Sequence, residues 1–362
     1  MTAPEDNTGE RSTIVEVEPS TATGEAKEAL AAADSLAEEG RLLEAVERLS
    51  EANRRERSGE IEKRLVRLRN LAYEELDRSP TEAPWPEEAP RPREAQEELP
   101  SVNRAELTPE VVRDHILRYG CTYIPGLIPE QRADQLVDGI DRAFEVANEH
   151  LSETPPAEDT PWYHPWPYFE NPEAMAQTRT FVRDGGGVWT VESPRVMFDF
   201  LEILDEAGLR SLIRDYLGER PAMTLKKSTL RKTTPLPRAD WHQDGAFLGD
   251  DIRTINLWLC LSHCGDDAPG LDLVPRRFDR VLETGTGGAF FNWSTGEGTV
   301  EEAREDVPVV RPLFKPGDAL LFDELFLHRT ATDDTMTRDR FAIETWFFAP
   351  SLYPGDQIPF VW

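Results

Sequence analysis

Several residue types are scarce in this chain, and each shortage narrows what it can be. Lysine is confined to Lys27, Lys63, Lys226, Lys227, Lys232 and Lys315, and Asp plus Glu outnumber Lys plus Arg by 69 to 40, for a formal charge of −29. Phosphate backbones and anionic lipid surfaces are bound through clustered cations, so this balance argues against nucleic acid and membrane as partners. No apolar run approaches the ~18 residues of a membrane span, and the acidic opening MTAPEDNTGERST has no apolar core to act as a secretory signal. The 3 cysteines, Cys121, Cys260 and Cys264, are too few for a disulfide framework, and they point to a cytoplasmic protein. The run CLSHC (Cys260, His263, Cys264) resembles a metal site on paper, but it ends a β-like segment, where packed thiols are the expected reading.

Composition then divides the chain. Residues 1–24 are polar and aperiodic, and disorder is expected there. Residues 25–78 carry helical periodicity: two amphipathic helices separated by a stop at Gly40, then a third with Ile61, Leu65, Leu68, Ala72 and Leu76 on one stripe. This helical hairpin arm looks like a tetratricopeptide-type fragment too short to form a solenoid. It serves either as a surface for a protein partner or self-association, or as a decoration packed on its own catalytic domain. Residues 79–100, rich in Pro and Glu, read as a semi-rigid linker.

The main domain, residues 101–362, opens with helices (one predicted over Pro109–Arg118, a long one further on) flanking a short strand from Cys121. A loop dense in Pro, Trp and Tyr follows over 153–173, to be read as either an active-site lid or a surface cover. Short β-like segments then succeed one another, including AMTLKKSTLRKT, RTINLWLCLSHC, LDLVPRR, DALLFDELFLH and RFAIETWFFA. Helices first and punctuated strands after predict a mainly β core with helical support.

Histidine is scarce too, at 6 residues, which makes a search for metal ligands short. In PRADWHQDGAF, a strand would project His242 and Asp244 from one face with Gln243 on the other. An imidazole and a carboxylate side by side are two-thirds of the facial triad of non-haem Fe(II) oxygenases. Of the other histidines, His115, His150 and His164 lie on helices or in the aromatic loop, whereas His328 ends an apolar strand launched by Pro316-Gly317-Asp318. A dicarboxylate cosubstrate would need a cationic anchor; Arg340 opens the next strand, with Arg338 its competitor.

Trp241-His242-Gln243-Asp244, Asn256-Leu257-Trp258, Pro316-Gly317-Asp318, His328 and Arg340-Phe341-Ala342-Ile343 together resemble the phytanoyl-CoA dioxygenase family of Fe(II)/2-oxoglutarate-dependent oxygenases, over residues 107–348. The resemblance implies a double-stranded β-helix (jelly-roll, cupin-like) core with iron at its mouth, held by His242, Asp244 and His328. It implies further that Arg340 grips the distal carboxylate of 2-oxoglutarate, and that Trp258 and, more weakly, Thr330 and Ser228 line the cosubstrate pocket. The expected activity is hydroxylation of a small-molecule substrate with consumption of O2 and release of succinate and CO2, ascorbate acting as an assisting reductant. Related halogenases lack the carboxylate, so Asp244 favours hydroxylation. The competing view is a catalytically silent jelly-roll working through its helical arm. Where many relatives carry P-G-S-H, this chain has Pro275-Arg276-Arg277-Phe278, two arginines that either read an anionic substrate group or face solvent. The basic run KKSTLRK, Lys226 to Lys232, either steers an anionic substrate or cosubstrate toward the mouth or, the favoured expectation, lies at a solvated strand edge.

Overall fold

Caps written into the sequence start and stop the helices. Ser58 accepts a hydrogen bond from the Ile61 N–H and Thr108 one from the Val111 N–H, while Gly40 and Gly120 take the left-handed conformation that ends a helix. The computed structural model describes residues 24–82, 85, 99–151, 160–235, 240–249 and 252–362. Residues 1–23 of the tail expected to be disordered and most of the expected linker lie outside the described residues, while Gly24 begins the first helix. In chain order the elements are α1 (Gly24–Glu38), α2 (Leu42–Arg55), α3 (Gly59–Leu71), α4 (Pro109–Tyr119), β1 (Cys121–Ile124), α5 (Glu130–His150), α6 (Pro172–Asp184) and β2 (Gly187–Trp189). They continue with α7 (Pro194–Glu206), α8 (Leu209–Leu217), β3 (Ala222–Thr233), α9 (Gly245–Leu248), β4 (Thr254–Cys260) and β5 (Gly270–Leu273). The last are α10 (Glu297–Arg304), β6 (Ala319–Phe322), β7 (His328–Ala331), β8 (Arg340–Phe348) and β9 (Pro359–Val361). Among the described residues no helix is long and apolar enough to cross a membrane.

The strands form a jelly-roll of two facing antiparallel sheets. The larger has the order β1-β6-β4-β8-β3-β2, with β9 also paired to β3; the smaller pairs β5 with β7. Single bridges widen the smaller wall, His242 to His328 on one side and Leu273 to Val310 on the other. Period-two alternation splits the larger sheet into two walls. Leu230, Ile255, Leu257, Leu259, Leu321, Ile343 and Phe347 pack outward on the helices, whereas Trp258, Cys260, Leu320, Phe322, Ala342 and Trp346 pack inward.

Two local expectations differ from this structure. DALLFDELFLH is not one strand: β6 stops at Phe322, a turn follows in which the Phe326 N–H reaches Asp323 O, and His328 begins β7 in the other sheet. Apolar residues on both sides of Asp323-Glu324 concealed the turn. Nor is β3, which holds the basic run, an edge, since it lies between β8 and β2.

The arm is packed on the body of the protein. Arg195 Nε lies 2.8 Å from both carboxylate oxygens of the buried Glu62, Arg69 donates to Val361 O at 2.7 Å, and Asn70 to Pro359 O at 2.9 Å. In the described part of the aromatic loop, Trp166 is buried against Phe360, with ring centroids 5.1 Å apart, and Arg67 of α3 lies over its indole. That part of the loop is a cover on α3 and β9.

Candidate active site

His242 and His328 meet across an antiparallel bridge, each donating its backbone N–H to the other's carbonyl at 3.0 and 3.1 Å. Their rings lie 4.4 Å apart. Each Nδ1 is 3.0 Å from the backbone carbonyl two residues earlier, Asp240 O for His242 and Phe326 O for His328. A carbonyl only accepts, so Nδ1 carries the proton and Nε2 keeps its lone pair for a metal. Burial, and then the neighbouring His328, push the His242 imidazole down to about 4, so it is neutral at physiological pH, as a ligand must be.

Asp244 joins this pair by a different route from the one its spacing suggested. The chain does not stay extended: Asp244 has φ −65 and ψ −22 and heads α9, its carbonyl accepting from Phe247 and Leu248. The turn is held by the Gly245 N–H on Glu324 O at 2.8 Å, and a Cβ at Gly245 would sit 2.9 Å from Val281 Cγ2. The carboxylate therefore swings in from a helical turn rather than from a shared strand face. Its Oδ2 is buried with no hydrogen-bond partner, 3.9 Å from His328 Nε2. One ligand atom from each of His242, Asp244 and His328 falls within 4.8 Å of the others, and among the described residues no second group of this kind occurs. Two imidazole nitrogens and an unsatisfied carboxylate oxygen are a donor set suited to ferrous iron. A buried carboxylate oxygen left without a partner is costly unless a ligand completes it.

Arg340, at the start of β8, is 3% exposed. Its Nη1 donates to Gly270 O at 3.0 Å and its Nη2 to Thr233 Oγ1 at 3.1 Å, while Nε has no partner. These partners are neutral, and burial pulls the guanidinium below its ordinary value, which leaves a cation suited to an incoming carboxylate. The Trp258 ring stands 5.6 Å from it. Arg338, the competitor, is exposed and paired with Asp267. Thr330 lies on β7 two residues after His328 and so on the same side of that strand.

Ser228 is a correction. It pairs with Thr345, on the face that carries Leu230 and Ile343 toward the helices, so its hydroxyl turns away from the chamber. Its neighbour Lys227 faces inward instead, with Nζ 3.3 Å from Asp244 Oδ1. The basic run is split accordingly: Arg231 meets Glu344 inside, and Lys232 meets Asp141 of α5 outside. The arginines in place of P-G-S-H are also spoken for. Arg277 is buried in an ion pair with Asp323 at 2.7 Å, and Arg276 donates to Ala303 O and pairs with Glu305. Cys260 and Cys264 are buried with their sulfurs 3.7 Å apart, while His263 is exposed, as expected for packed thiols.

The structure adds residues that sequence reasoning passed over. Asn256 is fully buried and faces inward, two residues before Trp258, with both amide atoms unpartnered; period two from Trp258 could have found it. Burial raises the Glu344 carboxyl, but Arg231 and Lys227 more than offset this and bring it to about 2. Phe247 and Trp293 stand beside His242 with ring centroids 6.3 and 5.7 Å away. No signal in the sequence marks Lys227, whose direction depends on strand register.

A family model described as Phytanoyl-CoA dioxygenase (PhyH) matches residues 116–340. Comparison with curated proteins gives no match. Among solved structures, the chain is similar to the non-heme alpha ketoglutarate dependent carbocyclase SnoK from nogalamycin biosynthesis, at 14% identity and TM-score 0.44, over 68% of this chain and 86% of that one. It is similar to EctD from S. alaskensis with 2-oxoglutarate and 5-hydroxyectoine, at 17% identity and TM-score 0.43, over 66% and 75% of the two chains. It is also similar to AviO1 from Streptomyces viridochromogenes Tue57, at 17% identity and TM-score 0.42, over 68% and 98%. The family model covers more than half of the chain, and its span contains the two histidines, the buried carboxylate with its unpartnered oxygen and the buried guanidinium. The chain belongs to the phytanoyl-CoA dioxygenase family and is an Fe(II)- and 2-oxoglutarate-dependent oxygenase.

Proposed function

We propose that this oxygenase hydroxylates a small-molecule substrate at a site where His242, Asp244 and His328 hold the iron and Arg340 anchors 2-oxoglutarate. The observation that carries the reading is the buried Asp244 Oδ2, which has no partner and faces the His328 Nε2 at 3.9 Å. Iron with 2-oxoglutarate and O2 supplies the oxidising power for a C–H bond, the cosubstrate leaving as succinate and CO2. Everything else is the work of this chain's residues. His242 and His328 present neutral nitrogens because backbone carbonyls fix their tautomers. Arg340 offers Nε–H and its remaining N–H groups to the distal carboxylate, with Trp258 beside it and Thr330 on the same side of β7 as His328. Phe247 and Trp293 form an aromatic rim beside His242 that keeps water from the reacting carbon and orients an apolar part of the substrate. Because Asp244 supplies a protein oxygen as third ligand, oxygen insertion is favoured over halide transfer.

A cytoplasmic site of action is supported by the three free, buried thiols. For the arm, the contacts of Glu62, Arg69 and Asn70 support a part of the enzyme's own body over a free surface for another protein.

The test is Fe(II)-dependent succinate formation, paired with the charge-transfer absorption that 2-oxoglutarate produces on the ferrous protein without oxygen. Wild type is expected to give both and His328→Ala neither, with an unchanged melting temperature. Equal succinate from the two proteins would overturn the assignment.

A further inference from the structure

We propose that Lys227 is a positioning residue for the metal, engaging one oxygen of Asp244 so that the other alone is presented to iron. The inference rests on the reading that His242, Asp244 and His328 hold that iron.

A break in the β3–β8 ladder brings Lys227 to this place. Met223 pairs with Phe347 and Ser228 with Thr345, so five steps along β3 are matched by two along β8, while on its other side β3 pairs with β9 over Ala222 to Thr224. The surplus residues bulge, and bulges re-aim side chains beside active sites. From Ser228 onward the alternation is regular, which sets Ser228, Leu230 and Lys232 toward the helices and Lys227 into the chamber.

Once there, the ammonium is held from two directions. Nζ lies 3.3 Å from Asp244 Oδ1 and 3.3 Å from the centroid of the Phe247 ring. Asp244 and Phe247 are the first and fourth residues of one turn, Asp244 capping α9 and its carbonyl accepting the Phe247 N–H at 3.1 Å. Lys227 therefore clamps the turn that carries the ligand as well as the ligand itself. The two oxygens of Asp244 are left in unlike states, Oδ1 engaged and Oδ2 bare toward His328.

Simple charge argues the other way, and this makes the idea testable. A cation this close repels a dication and draws electron density from the carboxylate, so a lysine acting through charge alone would weaken metal binding. Its presence helps only if fixing the carboxylate outweighs that repulsion. Outer partners that orient metal ligands typically change affinity by about 10–100-fold.

The measurement uses the full chain with Co(II) as a visible stand-in for iron, reading both the dissociation constant and the ligand-field spectrum. Lys227→Met is expected to weaken Co(II) binding about tenfold and to shift the visible bands as Asp244 changes its mode of contact. Lys227→Arg is expected to recover most of the affinity. Phe247→Leu, which leaves both charged groups in place, should give a smaller loss in the same direction, and it guards against misfolding of the lysine variant. Unchanged or tighter binding in Lys227→Met, or no loss in Phe247→Leu, overturns the proposal. His328→Ala separates the two failures. If it loses Co(II) while Lys227→Met does not, the clamp is wrong and the site stands. If both bind like wild type, the metal assignment itself fails.

Discussion

The two faces of the larger sheet are made from the same strands and differ in almost everything else. Outward, β3, β4, β6 and β8 present Leu230, Leu257, Leu321 and Ile343, all buried against the helices. Inward, the alternate positions mix Trp258 and Phe322 with Lys227, Arg231, Asn256, Arg340 and Glu344. One wall is stabilised by aliphatic burial, at roughly 25 cal/mol for each Å² removed from water. The other gives up part of that stabilisation to keep charged and amide groups out of water. A fold tolerates such groups where a ligand completes them.

Substitutions on the two walls should therefore fail in different ways. The largest effect is expected inside. Arg340→Gln leaves an incoming carboxylate without its charged partner, a loss of about 2–5 kcal/mol for a buried pair, so 2-oxoglutarate affinity should fall on the order of 100-fold. Co(II) affinity and the melting temperature should hardly move. Anaerobic titration with 2-oxoglutarate checks this, and retained affinity would erase the contrast between the walls. Outside, Leu257→Ala removes a fully buried side chain and should cost about 3 kcal/mol in a denaturant melt, with 2-oxoglutarate affinity below the transition unchanged.

The effect that depends on pH belongs to the turn between β6 and β7, and it vanishes at low pH. Burial, and then the charge of Asp323, push the Glu324 carboxyl from 4.5 up to about 8. A raised folded-state value means that the folded protein holds its proton more tightly than the unfolded chain. The corresponding stability is complete below 4.5 and is lost as pH rises toward 8. Glu324→Gln should thus resemble wild type at pH 5 and be the more stable at pH 8, by an increment of no more than about 1.4 kcal/mol per pH unit. Paired melts across that range test the sign, and a variant that loses ground as pH rises would contradict it.

How much could be read from the chain follows the same division. His328 stood out because only 6 histidines compete for a ligand's role, and Arg340 because it opens the next strand. Asp244 was identified through a strand that is not there: Gly245, wedged against Val281 and Glu324, turns the chain into α9, and the carboxylate still arrives. Ser228 and Lys227 were exchanged. One residue of register reverses every side chain on a strand, and the bulge that sets this register depends on where β9 pairs, which no local pattern records. The turn at Asp323 to Phe326 was hidden for another reason, since apolar residues flank its Asp-Glu pair on both sides and no Gly or Pro marks it.

The buried guanidinium of Arg69 has a consequence for how the molecule comes apart. It donates to Val361 O, and beside it Asn70 donates to Pro359 O, so two carbonyls of β9 have their partners in α3. Stripping the helices away would orphan those carbonyls and bare the apolar stripe of Ile61, Leu65 and Leu68 together with whatever it covers. A protease that severed the Pro- and Glu-rich stretch would nick the polypeptide and still recover it as a single particle, because the segment that composition sets apart is welded to the far end of the sheet.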